Sequence, residues 1–149
     1  MVVAMSDKQR VLVLLKPDAV KRRLIGEIIG RYEARGLTVR AMELRTIDAE
    51  MAAQHYAEHI GRPYYEPLVE FITSGPLVAM VLEGRKAIPV VRAMNGKTDC
   101  AEAVPGTIRG DLGVHYRRNL VHASDSPESA AREVALWFPQ LAEEPDETA

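Results

Sequence analysis

The chain carries one cysteine, Cys100, among its 149 residues. That excludes an internal disulfide framework and leaves no second thiolate from which a cysteine metal site could start, a usage that points to the reducing cytoplasm. Long apolar runs are missing too. The longest, such as Leu77 to Leu82, span about six residues where a membrane helix needs about twenty. The apolar start Met1 to Met5 meets Asp7, Lys8 and Arg10 before a signal-peptide core can form. Nor is there an excess of one charge: 19 Lys and Arg face 21 Asp and Glu. No global basic field therefore recommends nucleic acid as the main partner, and any anion site must be local.

What is present fits one domain, residues 1–149, with a core over about residues 10–138 and flexible ends at 1–9 and 139–149. The acidic stretch Glu143 to Ala149 reads as a solvated tail. Arg10 to Leu15 is a buried strand stopped by Pro17, which puts Lys16 at a strand end. Leu24, Ile25, Ile28, Ile29 and Tyr32 recur at helical spacing before Gly36 ends the helix. Thr38 to Arg45 reads as a strand, and Asp48 as the N-cap of a helix to about His59. Tyr64 to Ile72 is helical and is followed by the turn Thr73-Ser74-Gly75-Pro76 and the strand Leu77 to Leu82. Lys86 to Met94 is a helix that tolerates Pro89 only near its first turn.

From Asn95 to about Arg118 the periodicity fails and glycines accumulate. A loop that long, carrying Lys97, Arg109, Arg117 and Arg118, reads as functional. Leu120 to Ala123 is a last short strand, and Ser126-Pro127-Glu128 opens a final helix to about Phe138. The order β α β α α β α loop β α predicts an α+β fold, a ferredoxin-like split-βαβ sandwich with a four-stranded antiparallel sheet covered by helices.

Chemistry points first to Asn119-Leu120-Val121-His122-Ala123-Ser124-Asp125-Ser126, where one histidine stands between an apolar run and a capped helix. Such a histidine can aim one ring nitrogen at a phosphate while a neighbour fixes the other. Taken alone it reads rather as a satisfied structural residue, and Lys16, Arg92, Thr98 and Arg109 taken singly read as surface polar groups. Taken jointly, Leu15-Lys16-Pro17-Asp18-Ala19-Val20, His55-Tyr56, Pro105-Gly106-Thr107-Ile108-Arg109-Gly110-Asp111 and Asn119 to Ser126 resemble nucleoside diphosphate kinases, in order and spacing, from about Val11 to Phe138. Neither a Gly-rich loop ending in Gly-Lys-Ser/Thr nor a protein-kinase signature is present.

The resemblance implies that His122 takes the γ-phosphoryl group of ATP or another nucleoside triphosphate and passes it to a nucleoside diphosphate in a ping-pong exchange. It implies that Glu133 bonds the other imidazole nitrogen, where bare spacing allows an exposed carboxylate paired with Arg132 or Arg92. Arg92, Thr98 and Arg109 would hold phosphates. Lys16 and Asn119 would contact the ribose hydroxyls, Lys16 also lying near the transferred group, with Tyr56 beside His122 and Lys16. Tyr64 and Tyr116 would flank the base, with Leu68 beneath, a stacking arrangement tolerant of base identity. Mg²⁺ would arrive on the nucleotide phosphates with no direct protein ligand, and the chain would form a homo-oligomer, a tetramer or a hexamer.

Six positions depart from the commoner family pattern: tyrosines at 64 and 116, Ala123 for glycine, Asp99-Cys100 for Asn-Pro, and Arg117 for glycine. Ala123 would be costly if its φ were positive. Two other classes compete: a non-catalytic ferredoxin-like nucleotide-binding or interaction module, and a nuclease, which the charge balance and the missing carboxylate cluster disfavour.

Overall fold

Strands apolar at successive positions must be covered on both faces, and two segments here meet that description. They are β1 (Lys8–Leu15) and β3 (Leu77–Arg85), which lie in the middle of the sheet in the computed structural model, describing residues 7–142. β2 (Thr38–Arg45) flanks β3 and the three-residue β4 (Val121–Ala123) flanks β1, giving the order β2-β3-β1-β4 with every neighbour antiparallel. Val11, Val13, Leu15, Val78, Met80 and Leu82 face one core, completed by Ile28 and Tyr32 of α2 (Ile25–Ala34) and Ile88 and Val91 of α5 (Ala87–Asn95). Leu12, Leu14, Ala79 and Val81 face the other. It is closed by Ala52 of α3 (Ala49–His55), Ile72 of α4 (Tyr65–Ile72) and Val134 and Trp137 of α7 (Pro127–Trp137). This is the expected ferredoxin-like α+β sandwich.

The helix starts follow their caps. Asp48 accepts from Met51 N at 2.9 Å, and Ser126 accepts from Ser129 N at 3.1 Å with Pro127 in the first turn. Three segments differ from the sequence reading. The helix expected to reach His59 ends at His55, and Ala57–His59 forms a separate 3-10 turn because Tyr56, at ψ 30°, breaks the α geometry. Pro17 both stops β1 and opens α1 (Pro17–Lys21), since a proline that cannot pair in a ladder is well suited to a helix start. The glycine-rich loop contains α6 (Ile108–Leu112), capped by Thr107 Oγ1 accepting from Gly110 N at 2.9 Å, too short to show a period.

Order also extends beyond residues 10–138. Lys8 and Gln9 pair with β3, and Pro139–Ala142 forms α8 with Leu141 buried in the second core. Residues 1–6 and the acidic stretch from Glu143 onward lie outside the described residues.

Ala123 is an ordinary strand residue. The positive φ falls instead on Leu120, at 75°, a fully buried leucine. No helix among the described residues is long and apolar enough to cross a membrane.

Candidate active site

β4 pairs His122 with Leu14, so the imidazole stands on the face of the sheet that α7 covers. Along α7, Glu133 and Trp137 are four residues apart and point at the same place. His122 Nε2 meets Glu133 Oε1 at 2.9 Å, and Ser124 Oγ donates to that same oxygen at 2.8 Å while accepting from Leu12 N at 3.1 Å. Glu133 is therefore buried and held by a side chain that is itself held. Burial works to raise its carboxyl, but the hydrogen bonds it accepts from His122 and Ser124 act against burial, and Glu133 lies below the usual carboxylate range. An ionised carboxylate only accepts, so Nε2 of His122 carries the proton and Nδ1 keeps its lone pair. The alternative of an exposed Glu133 is not what forms: Arg132 stands 3.8 Å from the second carboxylate oxygen, more remote than His122 is from the first.

His55 was quoted in the sequence pattern without a role, and the structure supplies one. Its Nδ1 accepts from Trp137 Nε1 at 3.0 Å, and its ring meets His122 edge-on with centroids 4.8 Å apart. Burial first, and then the neighbouring His122, push its pKa down to about 3, so an uncharged imidazole walls the nucleophile candidate. Among the described residues His55, His122 and Glu133 are also the one group with donor atoms close enough to suggest a metal, all within 4.8 Å. The Trp137 and Glu133 hydrogen bonds already occupy a nitrogen of each histidine, which suits a braced imidazole better than a resident ion.

A second network lies at the end of β1. Lys16 Nζ donates to Asn119 Oδ1 at 2.8 Å, and Asn119 Nδ2 donates to Tyr116 O at 2.8 Å. Arg109 Nε donates to Asn119 O at 3.0 Å, Nη1 to Gly96 O at 2.8 Å and Nη2 to Val121 O. Lys16 and Arg109 are both buried, and burial, followed by the charge of Arg109, lowers the Lys16 ammonium to about 8. Leu120 joins this network to β4. Its N donates to Asp18 Oδ2 at 3.1 Å and its O accepts from Lys16 N at 2.8 Å, two bonds that hold its left-handed backbone at a cost of about 1–3 kcal/mol.

A cleft of about 220 Å³ opens in front of His122 and brings together His122, Tyr56, Glu133 and Arg92, with Glu58, His59, Asp125 and Arg132 also on its wall. Arg92 is exposed and anchored by Nη1 on Ala123 O at 3.1 Å. Tyr56 is buried, and burial pushes its phenol well above the ordinary value. A shallower depression of about 360 Å³ shares Arg92 and is floored by Gly96 and Thr107. Lys16, Tyr64, Leu68, Thr98, Arg109, Tyr116 and Asn119 line neither. Tyr64 and Tyr116 are exposed, Thr98 is exposed on the loop after α5, and Leu68 packs half-buried on the second core. Arg117, which the sequence left without an account, lies over the Tyr116 ring with 5.3 Å from guanidinium carbon to centroid.

Ser124, Trp137 and Asp18 are the site residues that sequence reasoning missed. Two of them carried a signal: Ser124 is two residues from His122 just past the end of β4, and Trp137 four from Glu133 on a helix, so each shares a face with a residue already chosen.

Residues 9–142 match the family model described as NDK, nucleoside diphosphate kinase. The chain is 77% identical over 137 residues to a nucleoside diphosphate kinase of Cutibacterium acnes, an alignment covering 92% of this chain and 99% of that protein. It is 63% identical over 132 residues to one of a Nocardioides species, covering 89% and 98%. Among solved structures, the halophilic nucleoside diphosphate kinase of Halobacterium salinarum in complex with CDP superposes with a TM-score of 0.86 at 47% identity, over 88% of each chain. The apo enzyme of Encephalitozoon cuniculi superposes at 0.88 with 37% identity, over 94% of this chain and 95% of that one.

Proposed function

The chain belongs to the nucleoside diphosphate kinase family, and from that premise we propose that His122 is the residue on which it carries the phosphoryl group. It is a phosphotransferase acting on nucleotides; the non-catalytic reading of the fold is not favoured. In the first half-reaction Nδ1 of His122 attacks the γ-phosphorus of ATP, the P–N bond forms as the bond to the bridging oxygen breaks, and ADP leaves. In the second, the terminal oxygen of another nucleoside or deoxynucleoside diphosphate attacks the phosphohistidine, and the histidine is regenerated. One observation carries this reading: the 2.9 Å bond from Nε2 to an ionised, braced Glu133, which frees Nδ1 for attack and offsets the positive charge the ring gains.

The other polar residues take their places around that axis. Arg92, Thr98 and Arg109 bind the phosphates. Arg109 gives three of its five N–H donors to main-chain carbonyls, so its charge is fixed in place with donors to spare. Lys16 and Asn119, already bonded to each other, meet the ribose hydroxyls, and Lys16 stays close to the transferred group with Tyr56 beside it. Tyr64 and Tyr116 flank the base above Leu68.

A nucleotide-binding kinase of this kind generally needs a divalent metal. The cleft wall presents Glu58 and Asp125 as separate carboxylates, which fits Mg²⁺ held by phosphate oxygens and water. When bound there, the ion neutralises charge on the departing diphosphate. We further place the chain as a single domain in the cytoplasm, assembled as a tetramer or a hexamer. The edge strand β2, with Met42 54% and Leu44 62% exposed, supports association with other copies.

Incubation with γ-labelled ATP tests the core of this reading. The protein should become an acid-labile, alkali-stable phosphoprotein, and added GDP should release the label as GTP. His122→Ala should neither take label nor turn over, with a loss of roughly 10⁴-fold or more; label and turnover at the original rate would remove His122 from the role.

A further inference from the structure

We infer that His59 is a positioning residue that tethers the base platform Tyr64 to the catalytic cleft, an inference that rests on reading Tyr64 as the residue on which the base stacks. Tyr64 is 42% exposed at the start of α4, and an exposed tyrosine ring has rotamers to lose when a base settles on it. Here its hydroxyl makes a 2.7 Å hydrogen bond with His59 Nδ1, and the two rings meet at 61° with centroids 5.4 Å apart. His59 itself lines the cleft that contains His122.

The contact belongs to a longer series. His122 meets His55 at 4.8 Å, His55 meets Tyr56 at 4.7 Å, Tyr56 meets His59 at 6.0 Å and His59 meets Tyr64, every pair edge to face. The ring that receives the base is thus in packed connection with the ring that receives the phosphoryl group. A phenylalanine at position 64 would keep the stacking face and forgo the tether. Tyr116 is restrained differently, stacked on His115 at 4.8 Å and 20° with Arg117 over its ring, all within its own loop. The hydroxyl of Tyr64 therefore presets the distance from base to phosphate, and part of the ordering cost of nucleotide binding is met before the nucleotide arrives.

The test compares His59→Ala, Tyr64→Phe and the double variant with ATP as donor and GDP or dTDP as acceptor. Each single variant should raise KM for the diphosphate about threefold to tenfold, the range of one neutral hydrogen bond, with the effect on KM rather than kcat. The double variant should be no worse than either single one, because both break the same bond. His59→Asn, whose side-chain oxygen can occupy the Nδ1 position, should hold KM near the original value. Additive effects, a loss confined to kcat, or single variants with unchanged KM would each overturn the tether. Tyr64→Ala separates the two levels of the claim. If it raises KM while His59→Ala and Tyr64→Phe do not, the tether alone fails; if it leaves KM unchanged, the base platform fails with it.

Discussion

The residues proposed for transfer and those proposed for the base are built to different standards. Lys16, Arg109, Asn119, Ser124 and Glu133, proposed to surround the transferred group and the ribose, are all buried, and each makes at least one side-chain hydrogen bond inside the protein. Tyr64 and Tyr116, proposed to flank the base, are exposed and sit on loop or helix-end positions. Transfer of a phosphoryl group rewards donors that are already aimed, since reorganising them during the reaction would add to the barrier. Accepting many bases rewards the opposite, because a π-face offers contact without a hydrogen-bond pattern that one base alone satisfies. On the roles proposed above, exactness of chemistry and breadth of substrate would be allotted to separate surfaces.

The sharpest way to break that contrast is Arg109→Ala. It should slow transfer roughly 10²–10³-fold. It should also lower Tm by roughly 5–10 °C, because three main-chain carbonyls each lose a donor. An unchanged rate with the same loss of Tm would make Arg109 a structural strut only. Next comes Lys16, whose ammonium is lowered to about 8 by burial and by Arg109. In the free enzyme kcat/KM should fall about tenfold per pH unit above that value. The alkaline limb should vanish in Lys16→Arg, whose guanidinium keeps its proton. Folding moves the other way: between about pH 8 and 10.5 the unfolded chain holds a proton that folded Lys16 has released, so stability rises with pH across that window.

A smaller effect is expected at His55, which burial holds neutral down to about pH 3. Between about pH 6.5 and 3 the unfolded chain binds a proton that the folded chain refuses, so stability falls as pH drops through that range. His55→Gln, which can still accept from Trp137, should show a shallower acid decline in Tm measured at pH 7 and pH 4.5. The smallest belongs to the exposed side. Tyr116→Val should change KM for nucleoside diphosphates by less than about threefold, since a valine still offers the base an apolar surface. A tenfold rise would move Tyr116 to the committed side of the contrast.

The same contrast governs how much could be read from the sequence. The central strands were legible because β1 and β3 are apolar at consecutive positions, and β2 and the helix Ile25–Ala34 because their turn and cap residues sit at the boundaries. The short helices Pro17–Lys21 and Ile108–Leu112 were not, since five residues make barely more than one turn and leave no period to detect. His122 and Glu133 were found through the resemblance; spacing alone left Glu133 undecided, because only the fold brings α7 over β4. Ser124 and Trp137 act through residues already chosen, and a sequence shows a partner of a partner only once faces are known. His59 and Tyr64 are five residues apart, yet their bond depends on the 3-10 turn that ends at His59, which helical periodicity through His59 concealed.

Leu120 places two opposed demands on one position. Its backbone, at φ 75°, suits glycine, while its fully buried side chain fills the space between the first core and the bend that turns Asn119 away from β4. Glycine would relieve the first demand and open a hole; valine or isoleucine would fill the hole and deepen the torsional penalty. No single replacement improves on both counts, so the codon is boxed in, and drift through this part of the gene has to go around it.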